Sequence, residues 1–147
     1  MKRIWALVAD EGVARVLESP GEGANLVELE TLTDAAAHAD RADLRRDAYG
    51  RRSGGGSAGG TVTSSAGEDE KRLEAGKFAR RVAEWLTDQH RKQRFDGLKV
   101  SAPPRFLGEL REAFGPELSN VVLDELDKDL IHEDARSITQ RLFPSEG

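Results

Sequence analysis

The first 18 residues show the hydrophobic pattern of two paired strands. Residues 4–9 are almost all apolar, which is typical of a central strand covered on both faces. The turn residues Asp10-Glu11-Gly12 follow, and residues 13–18 return with mixed apolar and polar positions. The pattern therefore predicts a β-hairpin.

Residues 26–32 alternate between apolar and acidic side chains. With a period of two, Val27 and Leu29 would share one face of a strand, and Glu28 and Glu30 the other. This pattern predicts a third, half-exposed strand at the edge of an antiparallel meander. An exposed edge can pair with another chain, so a homodimer through this strand is one expected arrangement.

The middle of the chain predicts one long helix. Ser65-Ala66-Gly67-Glu68 has the form of a capping box, and Arg94 marks the expected end, after a basic last turn. Between them the apolar residues recur at helical spacing: Leu73, Ala75, Phe78, Ala79, Val82, Trp85 and Leu86.

The remaining third of the chain alternates between strands and helices. Residues 98–102 predict a strand, Pro103-Pro104 the start of a helix, and residues 134–143 a terminal helix. Residues 120–123 predict either a fifth strand or a helix end followed by a strand. The order βββ–loop–αβαβα predicts a single α/β domain over residues 1–147, with a mixed five-stranded sheet covered by helices. A ribonuclease-H-like fold can have this order of elements.

The segment 33–67 has few large apolar side chains and is predicted to be a flexible loop. Five of the seven residues in 54–60 are glycine, and arginines precede them. Arginines can bind phosphates, and glycines let a backbone approach RNA closely. The candidate RNA contacts in the loop and on the helix are Arg45, Arg46, Arg51, Arg52, Gly54, Gly55, Gly56, Arg80 and Arg81. A surface insertion without a binding role is the alternative interpretation.

Charge is unevenly distributed along the chain. The net charge is −5, yet residues 41–94 carry 13 Lys/Arg and 8 Asp/Glu, a net of +5. A basic loop and helix on an acidic body are compatible with an RNA or ribosome partner. The chain has no cysteine and no apolar run approaching the roughly 20 residues of a membrane span. We therefore expect a cytoplasmic protein without membrane insertion.

Motifs for catalysis or cofactors are weak. The glycines follow no strand and contain no Gly-Lys-Ser/Thr sequence, so we expect no nucleotide cofactor. The three histidines have no metal-ligand spacing, and we expect no metal. Asp10 follows the first strand and is expected to be a turn residue; the alternative is a metal-dependent hydrolase, which would place a carboxylate at this position. The charged run Asp127-Lys128-Asp129 is either an exposed turn or a binding edge.

Short segments with a recognisable pattern are spread over nearly the whole chain, at residues 5–10, 14–16, 78–80, 102–108 and 125–130. Together they resemble the bacterial host attachment protein family, whose members are described as required for attachment to host cells. Pro104 is a small departure from the family pattern. The resemblance implies an interaction protein, and without a visible export signal its role in attachment would be indirect.

That family is similar in turn to the middle domain of archaeal and eukaryotic class-1 release factors. There a strand meander leads to a Gly-Gly-Gln loop that promotes peptidyl-tRNA hydrolysis, and a long helix follows. Here residues 51–60 occupy the matching place, but the first glutamine after them is Gln89. The resemblance therefore implies a noncatalytic module that contacts RNA or the ribosome.

Overall fold

The computed structural model describes residues 3–21, 24–34 and 52–144, and over residues 52–66 it describes the backbone alone. In chain order, the elements of these residues are β1 (Ile4–Ala9), β2 (Val13–Glu18), β3 (Val27–Thr33), α1 (Arg52–Arg91), β4 (Gly97–Ser101), α2 (Pro104–Ala113), α3 (Pro116–Ser119), β5 (Val122–Leu126) and α4 (Ala135–Leu142).

The strands of the described residues form one open sheet with the order β3-β2-β1-β4-β5. β1 pairs antiparallel with β2, which pairs antiparallel with β3. On its other side β1 pairs parallel with β4, and β4 pairs parallel with β5. The predicted single α/β domain with a mixed five-stranded sheet is confirmed.

The alternation of side chains along β1 divides the core between the two faces of the sheet. Trp5, Leu7 and Ala9 pack against α1, α2 and α3 within the larger buried cluster. Ala6 and Val8 face the smaller cluster, which includes residues of α4 and the segment before it. Because both faces are covered, β1 is apolar throughout, as its sequence predicted.

α1 begins at Arg52, well before the predicted capping box, and ends at Arg91. The prediction that residues 52–67 belong to a loop was therefore wrong, and Gly54, Gly55 and Gly56 lie in the helix. A helical glycine costs about 1 kcal/mol relative to alanine, but each residue added to an existing helix gains a backbone hydrogen bond. Residues 35–51, the rest of the predicted loop, lie outside the described residues.

Both edge strands depart from the predicted regular alternation. Leu17 pairs with Glu28 and Val16 with Glu30, so Leu29 is an inserted residue at a β-bulge. Glu28 and Glu30 consequently lie on opposite faces, contrary to prediction. β5 begins at Val122, two residues later than predicted, and its pairing skips Leu123 in the same way.

The terminal helix α4 is confirmed at the predicted place. Asp134 is its N-cap, with Oδ1 accepting a hydrogen bond of 2.8 Å from the Ser137 amide. Lys99 of β4 donates 2.7 Å to the carbonyl of Leu142 at the other end of the helix, and its Nζ lies 4.1 Å from the Phe143 ring centre. These contacts fix α4 on the sheet.

Candidate functional site

The residues predicted to contact RNA from the loop fall into two groups in the structure. Arg45, Arg46 and Arg51 lie outside the described residues. Arg52 is the first residue of α1, and the three glycines 54–56 follow it in the same helix. The arginine and glycine positions that the structure describes are therefore on a helix rather than on a loop.

Arg81 of α1 connects the helix to the end of β3. Its Nη2 donates a long hydrogen bond of 3.3 Å to the Thr33 carbonyl and lies 3.6 Å from Asp34 Oδ1. The guanidinium also lies 5.3 Å from the centre of the Phe78 ring. Since these contacts join two elements, Arg81 has a structural role in addition to any contact with a ligand.

Arg80 points to a different surface. It lines a shallow groove of about 380 Å³ together with Ala83, Glu84, Thr87, Asp88, Arg91 and Ala113. Arg80 forms no ion pair with the residues that the structure describes. It is thus an exposed and accessible cation, whereas the adjacent Arg81 is engaged.

Several other cations of α1 are already matched by carboxylates. Lys77 lies 3.7 Å from Glu74, and Lys92, just after the helix, lies 3.1 Å from Asp88. Arg91 donates 3.1 Å to Glu117 of α3. A hydrogen bond with His90 and then one with Arg91 hold the pKa of Glu117 below its ordinary range. These three cations are therefore neutralised, whereas Arg80 has no ion pair among the described residues.

A larger cleft of about 490 Å³ lies at the opposite end of the packed part of α1. Its position, beyond the carboxyl ends of the parallel strands β1 and β4, is where open α/β sheets commonly bind ligands. It is lined by three cationic, three acidic and two apolar residues: Lys71, Arg72, Arg105, Glu11, Glu68, Glu109, Ala75 and Phe106.

The α1 wall of the cleft continues the buried face of the helix. Phe78, Val82 and Leu86 of this face pack on the sheet. One turn before these residues the same face carries Ala75, and two turns before them it carries Lys71 and Arg72. Both cations are exposed to the cleft. Neither cation forms an ion pair with the described residues. The inner face of α1 is therefore apolar where the helix packs on the sheet and cationic where the helix extends beyond it.

α2 supplies the facing wall. Pro104 occupies its first turn, and Arg105 follows at the end of the β4–α2 connection. Arg105 Nη1 lies 3.7 Å from Glu68 Oε2 of α1. Close approach of the two helices is permitted at Gly76, where a Cβ would stand 3.3 Å from Glu109 Oε1. The two helices thus both contribute cations and carboxylates to the cleft.

Lys71 and Arg72 were missed in the sequence because Leu73 was assigned to the apolar stripe, and Arg105 was missed because it lies on a different helix. Leu73 is 65% exposed and lies off the buried face. Helical spacing from Ala75, Phe78 and Val82 would have excluded Leu73 and placed Lys71 and Arg72 on the inner face. The helical phase of the buried residues was therefore the sequence signal that could have identified Lys71 and Arg72.

Asp10, the candidate hydrolase residue, closes the β1–β2 turn. Its Oδ1 accepts hydrogen bonds of 2.8 Å from the amides of both Gly12 and Val13. This is the turn role that the sequence favoured for Asp10. In the described ranges, no group of three or more histidine, aspartate or glutamate residues is arranged to hold a metal ion.

The charged run after β5 is fastened by local hydrogen bonds. Ser101 Oγ donates 2.7 Å to the Lys128 carbonyl, and the Ile131 amide donates 3.2 Å to Asp129 Oδ1. The run therefore carries exposed side chains on a turn that leads Leu130 and Ile131 into the core beneath the sheet.

The fold and the cleft define a single α/β domain with a ligand-sized opening at the carboxyl edge of its sheet. The family model "Protein required for attachment to host cells" matches residues 5–142, and the chain belongs to this family. A comparison with curated proteins gives no match. Among the described helices, none has both the length and the apolar character needed to cross a membrane.

Proposed function

We propose that this member of the host attachment family is a noncatalytic, release-factor-like module that contacts RNA, on the ribosome or as a free structured RNA. The contact surface would comprise the start of α1 and the cationic side of the cleft. Arg45, Arg46 and Arg51 remain part of the proposal on sequence grounds.

The observation that carries the proposal is the cationic inner face of α1. Lys71 and Arg72 face the cleft without a carboxylate partner in the described residues, and Arg105 approaches from α2. Three cations on two rigid helices present a fixed surface to phosphates, and less conformational entropy is lost on binding than with a loop. Arg52 and the glycine tract lie on the same helix, N-terminal to this surface.

The topology also supports the release-factor interpretation. Three strands in a meander precede a long helix, and β1 lies between an antiparallel and a parallel neighbour. This is the element order that the resemblance implied. The resemblance implied a loop at the place of the Gly-Gly-Gln motif, whereas residues 52–60 here begin α1 and contain no glutamine.

Gln89 cannot take over the role of the release-factor glutamine. Its side chain is buried near the C-terminal end of α1, and Oε1 accepts a hydrogen bond from Arg94. The Arg94 guanidinium in turn lies 5.2 Å from the centre of the Trp5 ring. Gln89 therefore belongs to the packing of the core, which favours a binding role over peptidyl-tRNA hydrolysis.

The direct test is RNA affinity measured by fluorescence anisotropy, with a labelled hairpin RNA and a single-stranded oligonucleotide. The cleft variant combines Lys71→Ala, Arg72→Ala and Arg105→Ala. A matched control combines Lys77→Ala, Lys92→Ala and Arg141→Ala, which removes the same charge at exposed positions away from the cleft.

We expect the cleft variant to lose at least about tenfold in affinity and the control less than about threefold. For the single strand, the slope of log affinity against log salt should fall by about 0.7 for each phosphate that the variant no longer neutralises. Equal losses in both variants would indicate nonspecific attraction and overturn the proposal. Cosedimentation with ribosomes at several salt concentrations tests the ribosomal version.

A second candidate is an interaction protein with an indirect role in attachment. Glu11, Glu68 and Glu109 line the same cleft, and they would repel phosphates but could pair with a protein segment of mixed charge. Affinity capture from native lysate, with and without RNase, separates the candidates. Partners that persist after RNase and disappear with the cleft variant would favour this second function.

A further inference from the structure

A second surface, separate from the cleft, lies along β3 at the edge of the sheet. β3 pairs with β2 on one side, and in the described residues no strand lies on its other side. All of its residues are exposed except the half-buried Leu32. An edge of this kind presents unpaired backbone donors and acceptors to another extended chain.

The side chains of β3 differ from those that usually protect an edge strand. Protected edges often carry lysine or proline, whereas β3 carries neither, and its two charged residues are both glutamates. Val27 and Leu29 are 53% and 37% exposed. The bulge at Leu29 interrupts regular pairing but leaves the stretch Glu30–Thr33 in register with β2. The edge of β3 is therefore only partly protected against pairing with another chain.

The two glutamates are not equivalent. Glu28 is held by Arg15, whose Nε donates 3.2 Å to Oε1 and whose Nη2 also contacts the carboxylate. Glu30 lies on the opposite face and forms no ion pair within the described part of the chain. Its carboxylate is therefore available to an incoming strand.

A second copy of the chain fits this edge poorly. If two β3 strands paired antiparallel about the middle of the strand, Glu30 of one copy would lie opposite Glu30 of the other. Like charges directly opposite are destabilising in a sheet. The same position becomes favourable when the opposing residue is lysine or arginine. In this register, charge favours a cationic partner over a second copy.

We propose that β3 is a docking edge for an extended segment of a partner protein that alternates apolar and basic residues. The segment adds to the sheet as a sixth strand, with a lysine or arginine opposite Glu30 and its apolar side chains on the other face of the sheet. Backbone hydrogen bonds supply affinity, and Glu30 supplies the charge preference. This site is independent of the RNA surface, since it lies on β3 and not on the α1–α2 cleft.

The experiment uses the full chain, labelled with ¹⁵N, and a capped peptide of alternating valine and lysine with the length of β3, which is 7 residues. A second peptide has glutamate in place of lysine. The variants are Glu30→Lys and the control Glu112→Lys, which makes the same charge change at an exposed position of α2. Amide chemical shifts locate the binding site, and titration gives the affinity.

We expect the lysine peptide to shift and protect the amides of residues 27–33 in the wild-type protein. Glu30→Lys should weaken this binding about fivefold to tenfold and make the glutamate peptide the better ligand. Glu112→Lys should leave both affinities within about twofold. If the Glu30→Lys variant prefers the glutamate peptide, it must still be folded. The inverted preference therefore shows a specific charge pair at position 30.

Three results would overturn the proposal. The first is the absence of any shift in β3 at millimolar peptide. The second is an equal effect of the two variants, which would indicate bulk charge. The third is concentration-dependent dimerisation of the wild type with protection of β3, which would make the second copy the occupant. None of these results bears on RNA binding, so this proposal and the proposed function can fail separately.

Discussion

Arg105 and Glu68 approach to 3.7 Å between Nη1 and Oε2, joining α2 to α1 across the cleft. The two side chains are 84% and 56% exposed, so water and salt screen the pair. Its contribution to folding is therefore small. If an anionic ligand binds in the cleft as proposed, Glu68 competes with it for the same guanidinium.

Replacing Glu68 by glutamine should strengthen RNA binding. Removing one carboxylate frees Arg105 and reduces repulsion of phosphates, and we expect a gain of about twofold to threefold in affinity at low salt. Fluorescence anisotropy measures it. Glu70→Gln is the matched control, because it makes the same charge change on the outer part of α1 and should have a smaller effect. A larger gain with the control would argue against binding in the cleft.

Replacing Arg15 by methionine should destabilise the protein. Its side chain is only 13% exposed, and Nη1 donates 2.8 Å and 2.7 Å to the carbonyls of Ile131 and Glu133. Methionine retains much of the aliphatic volume but leaves both carbonyls without this donor. We expect the free energy of unfolding to fall by about 2–3 kcal/mol in urea titrations.

The control for this prediction is Arg141→Met on the exposed side of α4. It should change stability by less than about 0.5 kcal/mol. If both variants lost a similar amount of stability, the contacts of Arg15 would not be responsible for holding the segment before α4 on the sheet.

Gly97→Ala should cost stability through a contact with β5. A Cβ at this position would stand 2.6 Å from Leu123 Cδ1 and 3.0 Å from Ile4 Cδ1, so at least one side chain must move. Leu123 is 56% exposed and can rotate, which limits the expected loss to about 1–2 kcal/mol.

The double variant Gly97→Ala/Leu123→Ala should recover part of that loss, because it removes the nearest clashing atoms. A double-mutant cycle in urea gives the coupling between the two positions. Strict additivity of the two changes would contradict the packing described for Gly97.

Acidification should weaken α4 through its N-cap. The hydrogen bond from the Ser137 amide holds the pKa of Asp134 below its ordinary value of 3.8. The folded state therefore favours the carboxylate. This stabilisation is fully present above the unfolded pKa and is lost as pH falls through the lower folded pKa.

The thermal midpoint measured between about pH 6 and pH 2 tests the N-cap prediction. Asp134→Asn keeps a capping oxygen without this titration, so its acid decline should be shallower than that of the wild type. Asp134→Ala should be less stable than the wild type at neutral pH. Parallel acid declines in wild type and Asp134→Asn would show that other carboxyl groups dominate.

The elements and their order were largely predictable because each depends on local pattern. The apolar run 4–9 predicted a doubly covered strand, and the prolines 103–104 predicted the start of α2, both confirmed. The N-terminal extension of α1 was not predictable from propensity, since glycine disfavours helix. The helix boundary at Arg52 reflects continuation of a helix that the core stabilises from Ala75 onward.

The candidate site was predicted only in part. The sequence directed attention to Arg80, Arg81 and the loop arginines, and Arg81 proved to be engaged with Thr33 and Asp34. Arg105 could not be associated with Lys71 from sequence, because they lie on different helices. Their meeting depends on how α1 and α2 pack over the sheet.

The sequence by itself determined the hydrophobic period of each segment, and with it the strands, the helices and the mixed α/β class. These elements follow from the burial of apolar residues, and the spacing of apolar residues is a property of each segment by itself. Tertiary structure alone decided that Leu29 and Leu123 are inserted residues in the edge strands and that α1 and α2 enclose a charged cleft. Both features arise from pairing between distant segments, whose register and packing are set by neighbours rather than by the segments themselves.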